Sequence, residues 1–113
     1  MAWEVLLTKQ VFDWVEGLDE NTYDHYEAAR LELEERGPAV GRPFVDTLED
    51  SRHNNMKELR IPGSNARIIF AFDPKRRAIF LIAGDKTGQW KKWYRVNIPV
   101  ADRIYDEHLR GLD

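Results

Sequence analysis

Two short connections constrain this chain more than any other feature. MKELRI (56–61), ARIIFAFD (66–73) and AIFLIAG (78–84) are strand-like runs, and only PGSN and PKRR separate them. A parallel pair of strands needs a crossover of a dozen or more residues. Four-residue links built from turn formers therefore predict an antiparallel meander, and the rest of the sequence must pack against it.

Upstream, WEVLL (3–7) reads as a first strand. Val11, Trp14, Val15 and Leu18 recur at helical spacing, with Gly17 weakening the end. A second helix is expected from about Glu20, capped by Asp19 or Asn21 and stopped by Gly37 and Pro38. Its apolar side is Tyr23, Tyr26, Ala29 and Leu33. Residues 37–55 read as a connector with room for one helical turn. Pro99 suits the first turn of a last helix, with Asn97 as a cap. Ala101, Ile104, Tyr105 and His108 mark its inner face, and Gly111 ends it. The sum is one α+β domain, residues 1–113, of order β-α-α-β-β-β-α.

The chain has no cysteine, which excludes disulfides, thiolate metal sites and a cysteine nucleophile, and suits a reducing cytoplasm. No apolar run approaches the roughly 20 residues that span a bilayer, so no membrane partner is expected. The N-terminal sequence lacks the pattern of a signal peptide. The net charge of −3 hides an asymmetry. Residues 1–50 carry 4 Lys/Arg and 13 Asp/Glu, whereas 51–113 carry 13 and 7. Either the halves attract each other in the fold, or one face is left to attract a polyanion.

Familiar catalytic motifs are absent. GDKTG lacks the phosphate-loop pattern, and there is no G-x-S-x-G. His25, His53 and His108 are scattered, and no His/Asp/Glu set has metal-ligand spacing, so no metal or cofactor is expected. His53 is the histidine of interest, just ahead of the basic strand. In MKELRI, alternation puts Lys57, Leu59 and Ile61 on one face and Glu58 and Arg60 on the other. Leu59 and Ile61 want the core, which turns Glu58 and Arg60 toward a solvent-lined surface. Arg67 opens the next strand and Lys86 follows the third, so the meander can gather Arg60, Arg67 and Lys86 on one concave surface. Beyond Lys86, Trp90, Trp93 and Tyr94 interleave with Lys91, Lys92 and Arg95. Cations beside flat rings suit single-stranded nucleic acid. The plainer alternative is a helical turn with its rings in the core and its lysines solvated, and at least one tryptophan should be core.

The run L-R-I-P, then A-R-I-I-F-A-F-D-P-x-x-R-A-I-F-L-I-x-G-x-K, then W-Y-R, resembles the RelE/ParE superfamily of bacterial type II toxins, most of all its HigB-like, phage-derived branch. The resemblance implies a small curved antiparallel sheet with two N-terminal helices on one face and a C-terminal helix. It implies metal-independent mRNA cleavage at the ribosome and restraint by a cognate antitoxin, a HigA-like helix-turn-helix protein in HigB-type systems. It maps the phosphate-facing cations to Arg60 and Arg67, the post-strand cation to Lys86 and, loosely, a C-terminal tyrosine to Tyr94. Glu58 stands where RelE proper has a lysine, which leaves Glu58 or Lys57 as the base. Trp93 or Tyr94 would stack or orient an mRNA base, with Lys91, Lys92, Arg95 and Trp90 on the RNA backbone and bases. Two rival readings are a ParE-like gyrase poison and an inactive RNA-binding module.

Overall fold

The structure, a computed structural model, describes residues 3–85 and 88–112. Strand β1 (Glu4–Leu7) leads to helices α1 (Lys9–Glu16) and α2 (Glu20–Arg36), and a 3-10 turn follows at Gly37–Ala39. Strands β2 (Val45–Thr47), β3 (Met56–Arg60), β4 (Ala66–Phe72) and β5 (Arg77–Asp85) come next, then helix α3 (Trp90–Arg110). The sheet order is β1-β5-β4-β3-β2. The expected meander is present: β3, β4 and β5 pair antiparallel through their two short turns.

Local chemistry places the helices. The Thr8 hydroxyl accepts from the Val11 amide and donates to the Leu81 carbonyl at 3.0 Å, so it caps α1 and ties it to β5. Asp19 caps α2, accepting from the Thr22 amide at 2.7 Å. Gly37 ends α2 at φ 55, and a β-carbon there would also fall 2.3 Å from the Trp3 indole nitrogen.

The sheet has a helical layer on each side. Val11 and Val15 of α1 and Tyr26, Ala29 and Leu33 of α2 pack on Leu59, Ile61, Ile68, Phe70 and Phe80. On the other face, Trp93, Ile98, Ala101 and Tyr105 of α3 cover Met56, Ile69, Ala71, Ile79 and Leu81. Each such large side chain contributes roughly 1.5–3 kcal/mol on burial. A bulge re-phases β5: Ile69 pairs with Ile82 but Phe70 with Phe80, so Leu81 is extra. Ile79, the bulged Leu81 and Ile82 all pack on the α3 side.

Three expectations are corrected. The sheet is mixed rather than wholly antiparallel, because β1 runs parallel to β5. The connector holds a short strand, β2, which covers the edge of β3. Helix α3 begins at Trp90, so Pro99 lies inside it rather than at its first turn. An interior proline costs about 3 kcal/mol. Here burial of Trp93 and Ile98 on the sheet offsets that loss. Asn97 donates to the Trp93 carbonyl at 2.9 Å instead of capping a helix. Among the described residues, no helix is long and apolar enough to cross a membrane.

Candidate active site

Arg60 and Arg67 stand directly opposite each other on β3 and β4, and on the next strand pair Glu58 faces Asp46. Like charges in directly opposed positions repel. The cluster is stable because the two rows neutralise each other. Arg60 Nη2 lies 3.3 Å from Glu58 Oε2 and 3.5 Å from Asp46 Oδ2. Arg67 Nε is 3.4 Å from Glu58 Oε1, close enough to pair charge but outside hydrogen-bond geometry. Both arginine Nε atoms are buried and make no hydrogen bond among the described residues. Arg42 adds a second cation on Asp46 at 3.2 Å. The Asp46 carboxyl is held below the usual range, chiefly by the Thr47 amide and then by the arginines.

Helix α3 closes the cluster from above. The Tyr94 hydroxyl donates to Glu58 Oε1. Burial, followed by the neighbouring Glu58 carboxylate, pushes the Tyr94 phenol up to about 12. The Arg67 guanidinium lies over the Trp90 ring, 4.8 Å from its centroid. Trp90 in turn packs edge-on to Trp93. Trp93 is the core tryptophan, and it seats on Gly84, where a β-carbon would fall 2.4 Å from its indole nitrogen.

The predicted residues are thus partly assembled. Arg60, Arg67, Glu58 and Tyr94 meet, with Trp90 against Arg67. Glu58 is not on an open surface as expected: at 5% exposure it is buried under Tyr94 and the arginines. Lys57 points to the opposite face of β3, where it donates to Thr47 Oγ1 at 3.1 Å, so it does not join Glu58. Trp93 is buried and cannot stack a base. His53 sits in a separate network, with Nε2 2.7 Å from Asp106 Oδ1. Lys86 lies outside the described residues. Lys91, Lys92 and Arg95 are exposed, but they divide. Lys91 and Arg95 line a cleft of about 860 Å³ that Tyr94 shares, while Lys92 borders a smaller hollow of about 240 Å³. Sequence reasoning missed Asp46 and Arg42. A three-residue strand is too short for alternation to reveal, although V-D-T between two turn-rich stretches carries a faint signal. Among the described residues no group of His, Asp and Glu could hold a metal ion.

Residues 13–106 match the family described as phage derived protein Gp49-like (DUF891). The chain belongs to that family. Two Mycobacterium tuberculosis members have the names "Putative toxin HigB2" and "Putative toxin HigB3". HigB2 is 52% identical over 109 residues, covering 93% of this chain but 54% of its own length, so the chain spans about half of that relative. HigB3 is 50% identical over 105 residues, with 93% of this chain and 92% of its own length covered. The fold of this Gp49-like, HigB-type chain is RelE-like. RelE in the archaeal RelE–RelB complex from Pyrococcus horikoshii OT3 superposes with a TM-score of 0.64 at 22% identity, over 78% of this chain and 99% of that one. The intact E. coli RelBE toxin–antitoxin complex gives 0.58 at 9% identity, over 76% and 99%. RelE-type toxins are thus seen in complex with antitoxins.

Proposed function

We propose that this protein is the toxin of a type II toxin–antitoxin system and acts as a metal-independent endoribonuclease on mRNA at the ribosome. The observation that carries the reading is the juxtaposition of Arg60 and Arg67 around buried Glu58, with Tyr94 donating to the same carboxylate. Two adjacent guanidiniums offer N–H donors that suit the oxygens of a phosphate. When a phosphate takes those donors, Glu58 is released to act as a base.

In the proposed reaction the 2′-hydroxyl next to the cut loses its proton to Glu58. Its oxygen attacks phosphorus, the O2′–P bond forms and the P–O5′ bond breaks. The departing 5′-oxygen takes the phenolic proton of Tyr94, whose raised pKa keeps it protonated at neutral pH. The products are a 2′,3′-cyclic phosphate and a 5′-hydroxyl. Arg60 and Arg67 face the charge that gathers on phosphate, each worth roughly 100-fold in rate. Lys86 remains a candidate third cation on sequence grounds alone. A cognate antitoxin, helix-turn-helix in kind, would restrain the toxin by offering carboxylates to the same cations.

Induction without the antitoxin tests the reading. Translation should fall before DNA supercoiling changes, and primer extension should show new mRNA ends. Gyrase-linked DNA breaks with intact mRNA would instead establish the gyrase-poison reading.

A further inference from the structure

We propose that the cleft beside the Glu58 cluster seats a nucleotide neighbouring the cut, and that its carboxylate rim selects among bases; the inference rests on the ribonuclease reading above. At about 860 Å³ the cleft has the size of sites that hold small ligands. Tyr94 belongs to both cleft and cluster, so a strand whose phosphate lies on Arg60 and Arg67 continues directly into it.

The two walls differ in charge. One is α3, where Lys91 and Arg95 stand four residues apart, exposed and without an ion pair among the described residues. The other is the segment after β2. There Asp46 is committed to Arg42 and Arg60, whereas Glu49 and Asp50 are exposed and unpaired among the described residues. A nucleotide laid across such a cleft sets its phosphate on the cationic wall and turns its base edge to the carboxylates. A carboxylate only accepts hydrogen bonds. Cytosine N4, adenine N6 and guanine N1 and N2 all donate to it. Uracil offers a single N3–H between two carbonyl oxygens, which a carboxylate repels. The rim therefore favours bases with an exocyclic amine.

The acidic wall is also braced. Ser51 Oγ and the Arg52 amide donate to Asp102 of α3, which is 3% exposed. Arg52 and His53 reach Asp106 on the same helix. The wall that would read the base is thus pinned to the helix that would hold the phosphate.

The test is cut-site sequencing of a randomised mRNA library on ribosomes, with the parent protein and a Glu49→Ala/Asp50→Ala variant. At one of the two positions flanking the cut, the parent should disfavour uracil about tenfold, and the variant should discriminate less than about twofold. Both positions are exposed, so the variant keeps the fold. Lys91→Ala/Arg95→Ala should slow cutting at all sites alike and flatten its salt dependence. An unchanged base profile in the carboxylate variant, with the parent cutting RNA, would overturn the selection and leave the ribonuclease reading standing. A parent that cuts no mRNA would overturn both.

Discussion

Glu58 is held by three groups at once, and that crowding sets what single substitutions do. Arg67 opens its strand, so from the sequence its loss looks cheap in stability. Its side chain is in fact 19% exposed, pairs with a buried carboxylate and lies over Trp90. Arg67→Ala should therefore cut the cleavage rate by roughly 100-fold and also lower stability by about 1–3 kcal/mol. Urea unfolding checks the second effect. Adding Glu58→Gln should recover part of the lost stability but none of the activity, because the orphaned carboxylate is gone. The Tyr94 phenol titrates near 12 in the fold against about 10 in an unfolded chain. A pKa raised by folding contributes stability that is full below the unfolded value. That contribution is lost as pH rises from about 10 to about 12. Tyr26, also pushed up to about 12 by burial, behaves alike. Tyr94→Phe should thus lose less stability than the parent across that range, as read by denaturant midpoints. Equal losses would contradict the environment assigned to Tyr94.

Helix α3 is the element that turns a charged sheet surface into a site, because it brings Trp90, Trp93 and Tyr94 down on Arg67, Gly84 and Glu58. Gly84→Ala should displace it. The new methyl would meet the Trp93 ring, costing about 1–3 kcal/mol, with a loss of tryptophan near-ultraviolet dichroism and of activity together. A folded, fully active Gly84→Ala protein would count against the docking of α3 as a requirement. This helix also marks the limit of what the sequence discloses. The meander was legible because turn chemistry and period-2 runs are local signals, and so was the pairing of Arg60 with Arg67 across the PGSN turn. From the sequence, Trp90 to Arg95 stand as a cationic aromatic stretch and the helix starts near Pro99, because proline is locally favoured at a first turn and disfavoured inside a helix. Burial of Trp93 against a strand distant in sequence overrides that preference. The depth of Glu58 was hidden for the same reason: alternation shows which face a side chain takes, not what covers that face. Strand β2 was missed because its three residues owe their form to the edge of β3, not to their own propensity.

Across the whole molecule the charge asymmetry does not cancel. Among the described residues the acidic half mostly pairs within itself, Arg30 with Glu27 and Glu34 and Arg36 with Glu32. Arg60–Asp46 is the ion pair there that joins residues 1–50 to the remainder. The sheet separates α1 and α2 from the face that carries α3, Lys91 and Arg95. RNA binding should therefore weaken steeply with salt, and charge-neutral changes to α2 should leave that slope unaltered. The central claim is that Glu58, Arg60, Arg67 and Tyr94 cut RNA by activating its own 2′-hydroxyl. Its most direct test is end-group analysis of mRNA cut on ribosomes by the purified parent and by Glu58→Gln. The account predicts 2′,3′-cyclic phosphate and 5′-hydroxyl ends from the parent, and roughly 100-fold or greater loss of both in the variant. Ends bearing 5′-phosphate, or a variant that cuts at the parental rate, would contradict it.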